Sequence, residues 1–484
     1  MQSVDRHGKR RKTGRHHHGG KPLTVHHASG TRPSGLAATL KSRHVSMIAI
    51  GGIIGAGLFV GSSTSIAQVG PAVLVSYIVA GTVILMVMRM LSEMASRHPG
   101  AGSFSELVRM GLGDRAGFVC GWLYWYFWVV VVAIEAIAGA VILHGWIPLP
   151  VWLIGSVLLA LLTGVNLLSA RSYGEFEFWL SLTKVGAIVA FILIAGSWAT
   201  GLTSPTGQTF GNLAAHGGFA PKGWGAVVAG VTSVIFALCG AEIATVAAAE
   251  AHEPAKVIAR LTASIAARIL LFYVLSIGLI VAVMPWDKVV AGKSPFAQAL
   301  DAMHIPHAGD MMNLLVLVAV TSCLNSGMYV SSRVLYVLAD KGDAPRALAP
   351  LSRRSVPVRA TLIASLFAYV ALAASVLSPE LVFSFLVNAS GALMIFIYMF
   401  VCLAQLEMRK REGTEGATIL MWLHPWGARI TLGAMLAVLG AMATRPGSRA
   451  ELVSSLVVLG IAVAGSFVGR NRSGDQAMAA RISG

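Results

Sequence analysis

Apolar residues in this chain fall in long unbroken runs rather than in the alternating or three-to-four spacing of a water-facing fold. Runs of about 18 to 25 residues, the length at which a helix crosses a hydrocarbon core, recur from Val45 to Phe467. Twelve can be counted, centred near residues 56, 80, 131, 160, 187, 238, 273, 323, 368, 393, 433 and 459. Barrel strands alternate polar and apolar positions and these runs do not, so the pattern predicts an all-α polytopic membrane protein with twelve transmembrane helices. Residues 1–40 stand apart, with His16, His17, His18, His26 and His27 scattered among Arg, Lys and Gly. That stretch has too few apolar residues for a core and lacks a regular metal-ligand spacing. The expected division is a disordered basic tail over 1–40, a twelve-helix domain over 41–468 and a short C-terminal tail over 469–484.

Composition strengthens this picture. Hydrophobic residues make up 56% of the 484 positions and charged ones 12%, against roughly 25% charged in soluble domains. The formal charge of +16 would suit a nucleic-acid partner, but its placement points elsewhere. Of the Lys and Arg residues, twenty-nine lie in the N-terminal tail and after the even-numbered spans, five lie after the odd-numbered spans, and Lys184, Arg268 and Arg429 lie within spans. Such alternation is the positive-inside signature. It predicts cytoplasmic termini and no nucleic-acid partner. Cys120, Cys239, Cys323 and Cys402 all sit in apolar runs, which argues against a disulfide framework.

Two interruptions carry candidate chemistry. Gly51, Gly52, Gly55 and Gly57 crowd the first span, and the sixth is interrupted at Phe236-Ala237-Leu238-Cys239-Gly240-Ala241-Glu242. Close packing of small residues is one use of such glycines. Gly-broken helices at corresponding places in two halves are also the sequence pointer to a transporter site. The first span runs outward, so its outer half would aim unpaired N–H groups at the membrane centre and suit a carboxylate. The sixth runs inward, so its outer half would end in carbonyls that suit an ammonium group. Glu135, Lys184 and Glu242 lie deep in spans, where an ionisable group is a functional candidate or a member of an internal ion pair. Arg268 and Arg429 lie near span ends, where they can snorkel. The aromatic cluster Trp122, Trp125, Tyr126, Phe127 and Trp128 reads as interfacial anchoring or packing, and Cys323 as a packed thiol, with a place facing the site among Thr321, Ser322 and Asn325 as the alternative.

Leu40-Lys41-Ser42-Arg43-His44, Ile54-Gly55-Ala56-Gly57-Leu58-Phe59-Val60-Gly61, Gly174-Glu175-Phe176-Glu177-Phe178-Trp179, Ser322-Cys323-Leu324-Asn325-Ser326-Gly327, Gly342-Asp343-Ala344-Pro345 and Met421-Trp422-Leu423-His424-Pro425-Trp426 together resemble the amino acid permeases. These form the bacterial amino acid transporter branch of the amino acid–polyamine–organocation superfamily, and within it the likeness is greatest to permeases of 4-aminobutyrate. The resemblance implies a 5+5 inverted repeat with broken helices 1 and 6 plus two appended helices, in the bacterial inner membrane. It implies that Ile53, Gly55, Ala56 and Gly57 surround a substrate carboxylate, that Phe236, Ala237 and Cys239 offer carbonyls to its amine, and that Phe236 acts as a lid. Glu242 joins this set. Ala56 departs from relatives that carry serine there, which removes a hydroxyl contact but leaves the amide. Lys184 is similar to a lysine that takes the place of a sodium ion in proton-coupled relatives, and Glu135 to a glutamate common in the branch.

The expected activity is proton-coupled symport of a small zwitterionic amino acid with no cofactor, the partners being substrate, proton and membrane lipid. A symporter or exchanger of another amino acid in the same branch and a non-transporting amino acid sensor are the alternatives. An enzyme is disfavoured, since neither His-Glu-x-x-His nor Gly-x-Ser-x-Gly spacing occurs. The charge alternation makes a direct prediction. In a variant without the native cysteines, thiols placed at residue 20 and within 346–354 should resist an impermeant reagent in intact cells, whereas one near residue 205 should react. Labelling of the tail from outside would overturn this topology.

Overall fold

The computed structural model describes residues 54–98, 101, 103–168, 171–240, 242, 269–417 and 419–482. The 1–40 tail, Gly51, Gly52, Ile53, Ala241 and Arg268 lie outside the described residues. Every regular element among the described residues is helical. In chain order these are α1 (Ala56–Phe59), α2 (Gly61–Val69), α3 (Val73–Arg97), α4 (Phe104–Leu112), α5 (Asp114–His144), α6 (Val151–Leu168), α7 (Arg171–Ala199), α8 (Asn212–Ala215), α9 (Trp224–Ala229), α10 (Val231–Leu238), α11 (Leu275–Val283), α12 (Pro295–Ala302), α13 (Ala308–Asp340), α14 (Val358–Ala373), α15 (Pro379–Glu412), α16 (Trp426–Thr444) and α17 (Pro446–Ile482).

Among the described residues nine helices are long and apolar enough to cross a membrane, and Trp224–Leu238 and Phe272–Val283 are shorter apolar helices. The other three of the twelve runs read from sequence, the first, sixth and seventh, extend into residues outside those described. Among the described residues of the first run, Gly55 is non-helical, and the helix that starts at Ala56 pauses at Val60. Helix in the sixth run stops at Leu238, where Cys239 turns to an extended conformation and Gly240 takes φ +116°. The last apolar stretch ends at Phe467, although the helix itself continues to Ile482.

Burial sorts the helices into an inner and an outer set. In the most apolar window of α5 and of α15, 78% of residues are buried, against 22% in α6. Outer helices turn Leu161, Leu193, Val370 and Ile461 to the surface, each more than half exposed. Such a surface suits lipid and would be a liability in water. Ser103, Ser294 and Ser378 cap α4, α12 and α15 by accepting the amides of Glu106, Ala297 and Leu381.

Ion pairs gather the ends of α3, α4, α13 and α15. Buried Glu93 accepts from Arg409 at 2.8 Å and from the Met421 amide at 2.6 Å. Arg97 and His98 meet Glu412, while Arg109 pairs with Asp343 and Lys341 with Glu106. Burial raises the Asp343 carboxyl above its usual range against the pull of Arg109, and burial lowers the Lys341 ammonium.

Small residues bring the inner helices close enough to place the site. A side chain at Gly391 on α15 would overlap the Thr232 carbonyl of α10, so glycine here allows backbone contact. Tyr398 stands two turns along the same face of α15 and therefore reaches the end of α10. Gly391→Ala should lower stability by about 1–3 kcal/mol through overpacking. Gly440→Ala, where nothing lies within 4 Å, should stay within about 0.5 kcal/mol. Thermal unfolding of the purified chain in detergent distinguishes the two.

Candidate functional site

The two interruptions meet. A Cβ on Gly57 would come within 2.7 Å of the Ala237 backbone and 3.4 Å of the Phe236 ring, and one on Gly61 within 3.9 Å of that ring. Phe236 thus lies over the glycine face of α1 and α2. The first atoms a side chain at Gly57 would strike belong to α10, so packing alone already requires glycine there.

Beside this crossing is a small cavity, about 20 Å³, lined by Gly55, Gly57, Phe127, Trp128, Val131, Glu135, Phe236, Ala237, Cys239 and Cys323. Five of the residues singled out on helices 1 and 6 line it, together with Glu135. Ala56, Lys184 and Glu242 stand behind that lining, all buried, and Ile53 lies outside the described residues.

Glu135 projects from the middle of α5 to the start of α1. Both carboxylate oxygens lie 3.0 Å from the Ala56 amide, which donates to them. Gly55 makes this approach feasible, because a Cβ there would sit 2.6 Å from Glu135 Oε1 and from Cys323 Sγ. Cys323 of α13 also hydrogen-bonds the same carboxyl, and Lys184 is near enough for its charge to act on it. Lys184 is thirteen residues into α7, roughly 20 Å along the helix, which places it well away from either end.

A second carboxylate serves the second interruption. Both oxygens of Glu242 lie 3.1 Å from the Gly240 amide, and the Tyr398 hydroxyl donates to Oε2 at 3.3 Å. That hydroxyl lies 3.8 Å from Cys239 Sγ. Of the carbonyls at the end of α10, that of Phe236 accepts the Cys239 amide at 3.2 Å. Each interruption therefore carries a backbone amide paired with a buried carboxyl group.

Several residues here were not assigned this place from sequence. Phe127 and Trp128 were grouped with an interfacial anchor cluster, yet both are buried and line the cavity. Cys323, read as a packed thiol, touches the key carboxylate. Val131 and Tyr398 were not singled out. For Tyr398 the available signal was a hydroxyl in the interior of an apolar span, which in lipid requires a partner.

Comparison with known proteins agrees with this architecture. The family model described as amino acid permease matches residues 44–472. The gamma-aminobutyric acid permease of Bacillus subtilis is 43% identical over 92% of this chain and 96% of its own length. The gamma-aminobutyric acid permease of Escherichia coli is 43% identical over 89% and 94%. The aromatic amino acid transport protein AroP of Corynebacterium glutamicum is 36% identical over 90% and 95%. Among solved structures, a manganese transporter from Eremococcus coleocola aligns with TM-score 0.52 at 15% identity, covering 89% of this chain and 94% of its own, a likeness of fold. With a family model spanning most of its length and relatives this similar, the chain belongs to the amino acid permease family.

Proposed function

We propose that this permease is a proton-coupled symporter carrying 4-aminobutyrate or a similar small zwitterionic amino acid across the bacterial inner membrane. In this reading twelve spans include a 5+5 inverted repeat, both termini are cytoplasmic, and alternating access proceeds around a fixed midplane site. The observation that carries the proposal is the cavity where α1 and α10 meet, bounded by backbone at both interruptions and by Glu135. The names of its similar relatives favour 4-aminobutyrate over other zwitterions.

The carboxylate pole is the region of Gly55, Ala56 and Gly57, and the ammonium pole the end of α10. Glu135 already holds the Ala56 amide, so a substrate carboxylate that uses this amide must take Glu135's place. A displaced carboxylate in a low-dielectric interior is costly unless neutralised, and a proton neutralises it. Glu135 thereby gains a role in coupling alongside Lys184, which can give up a proton where an arginine would stay charged. One proton moving with a net-neutral substrate carries one charge, worth ~2.3 kcal/mol per 100 mV, or roughly 50-fold accumulation.

In proteoliposomes, unlabelled 4-aminobutyrate should compete with its own labelled uptake, while butyrate and butylamine, each lacking one pole, should compete at least about tenfold less, ~1.4 kcal/mol. Better competition by an ordinary α-amino acid would keep the transport class and replace the substrate. Binding without flux would leave a sensor.

Coupling is tested by a pair of variants under an inward proton gradient. Lys184→Gln should bind 4-aminobutyrate yet lose acceleration by the gradient. Accumulation that persists in Lys184→Gln and vanishes in Glu135→Gln assigns the coupling proton to Glu135 alone.

A further inference from the structure

The segment Met421-Trp422-Leu423-His424-Pro425-Trp426 takes no part in the cavity, yet it is firmly held. Arg89 on α3 donates Nε to the Leu420 carbonyl at 2.9 Å and lays its guanidinium 4.7 Å from the centre of the Trp422 ring. Arg429, in the first turn of α16, lies 5.3 Å from the centre of the Trp426 ring. Glu93 fixes the same turn through the Met421 amide.

Despite this bracing the turn is open. Trp422 is 45% exposed, Trp426 64%, Ile430 65% and Leu423 78%. Arg89 and Arg429 form no ion pair among the described residues, whereas Arg409 is taken by Glu93 and Arg411 by Glu407. Burial, helped by the charges of Arg409 and Arg429 and opposed by Glu93, holds the His424 imidazole below its ordinary range. The positive charge facing outward is therefore carried by the two arginines. Tryptophan and arginine at the end of an apolar helix mark the headgroup level of a bilayer. A guanidinium presents a planar fork of donors that matches phosphate, and stacking on indole pre-orients it.

We propose that the turn between α15 and α16 binds the headgroup of an anionic phospholipid. Arg89 and Arg429 hold its phosphate, and Trp422, Leu423 and Trp426 lie against the glycerol and upper acyl chain. Charge complementarity selects this occupant: two uncompensated guanidiniums favour a headgroup with net negative charge over one that carries its own ammonium. Glu93 ties the turn to α3 and α15, and both pack against α10. Lipid bound here therefore bears on the helices that support the interrupted end of α10. The inference rests on the membrane reading and not on the substrate.

The full-length chain, purified in mild detergent, is titrated with phosphatidylglycerol or phosphatidylcholine of matched acyl chains, and retained lipid is counted by native mass spectrometry. Phosphatidylglycerol should be retained about tenfold better, as expected for two cations near an anionic headgroup. Arg89→Gln combined with Arg429→Gln should abolish that preference while keeping the lipid-free melting temperature. Arg429→Gln alone, at an exposed position, should reduce the preference about threefold and serves if the double variant fails to fold. Equal retention of both lipids by the parent chain overturns the proposal, as does a preference that survives both substitutions. So does displacement of phosphatidylglycerol by millimolar inorganic phosphate, which would make this a free-phosphate site. Lipid retention is measured without transport, so its failure is distinguishable from failure of the proposed activity.

Discussion

A backbone N–H exposed where a helix begins inside a hydrocarbon layer has no water to turn to, and leaving it unpaired costs several kcal/mol. The pairing of the Ala56 amide with Glu135 meets this constraint, and much of the surrounding packing follows from it. Gly55 must lack a side chain for the carboxylate to arrive, and Cys323 closes on the same point from α13. Glu135 must come from the middle of the largely buried α5, because a shorter reach from the surface would bring solvent with it. A carboxyl that accepts this amide leaves neither group without a partner in the interior.

The second interruption meets the same constraint with a carboxylate of a different kind. Glu242 lies two residues beyond Gly240 and bonds its amide locally, with Tyr398 as an outside partner. Any displacement of α1 relative to α5 therefore alters the first pairing directly, whereas the Gly240–Glu242 bond travels with its own segment. Through Tyr398 the second pairing also joins a neighbouring helix, so both interruptions are tied to the helices packed around them. Nor can the glycines be divided into packing residues and binding residues. Gly57 touches α10 and borders the cavity, so contact between the interruptions and access to their backbone are one geometric fact.

At the ends of the bundle the balance of forces changes. Glu93, Arg109, Asp343, Arg409 and Glu412 form partly buried pairs that join helices far apart in sequence. Exposed pairs contribute little in water, but buried Glu93 satisfies a guanidinium and a backbone amide at once, and losing either partner would strand a charge. These pairs set which helix ends stay together, and they leave Arg89 and Arg429 as the cations that face outward beside Trp422 and Trp426.

Much of this protein was legible in the sequence because lipid is an undemanding solvent to read. Run length reports which segments are long enough to span. A glycine cluster paired with Gly240 reports interruption, because a helix that only crosses lipid gains nothing from it. Those signals are local, and they located the interruptions at Gly55 and Cys239 to within a residue or two. Tertiary structure alone decided which groups share a point in space. From the sequence, Glu135 and the Ala56 amide were separate candidates for two different partners, since nothing in a one-dimensional pattern shows that residues seventy-nine positions apart bond each other. The place of Trp128 was unreadable for the same reason. In a span that is apolar on every face, periodicity no longer tells inside from outside, and only the packing of α5, α13 and α15 around the interrupted helices determines which side chains face the cavity.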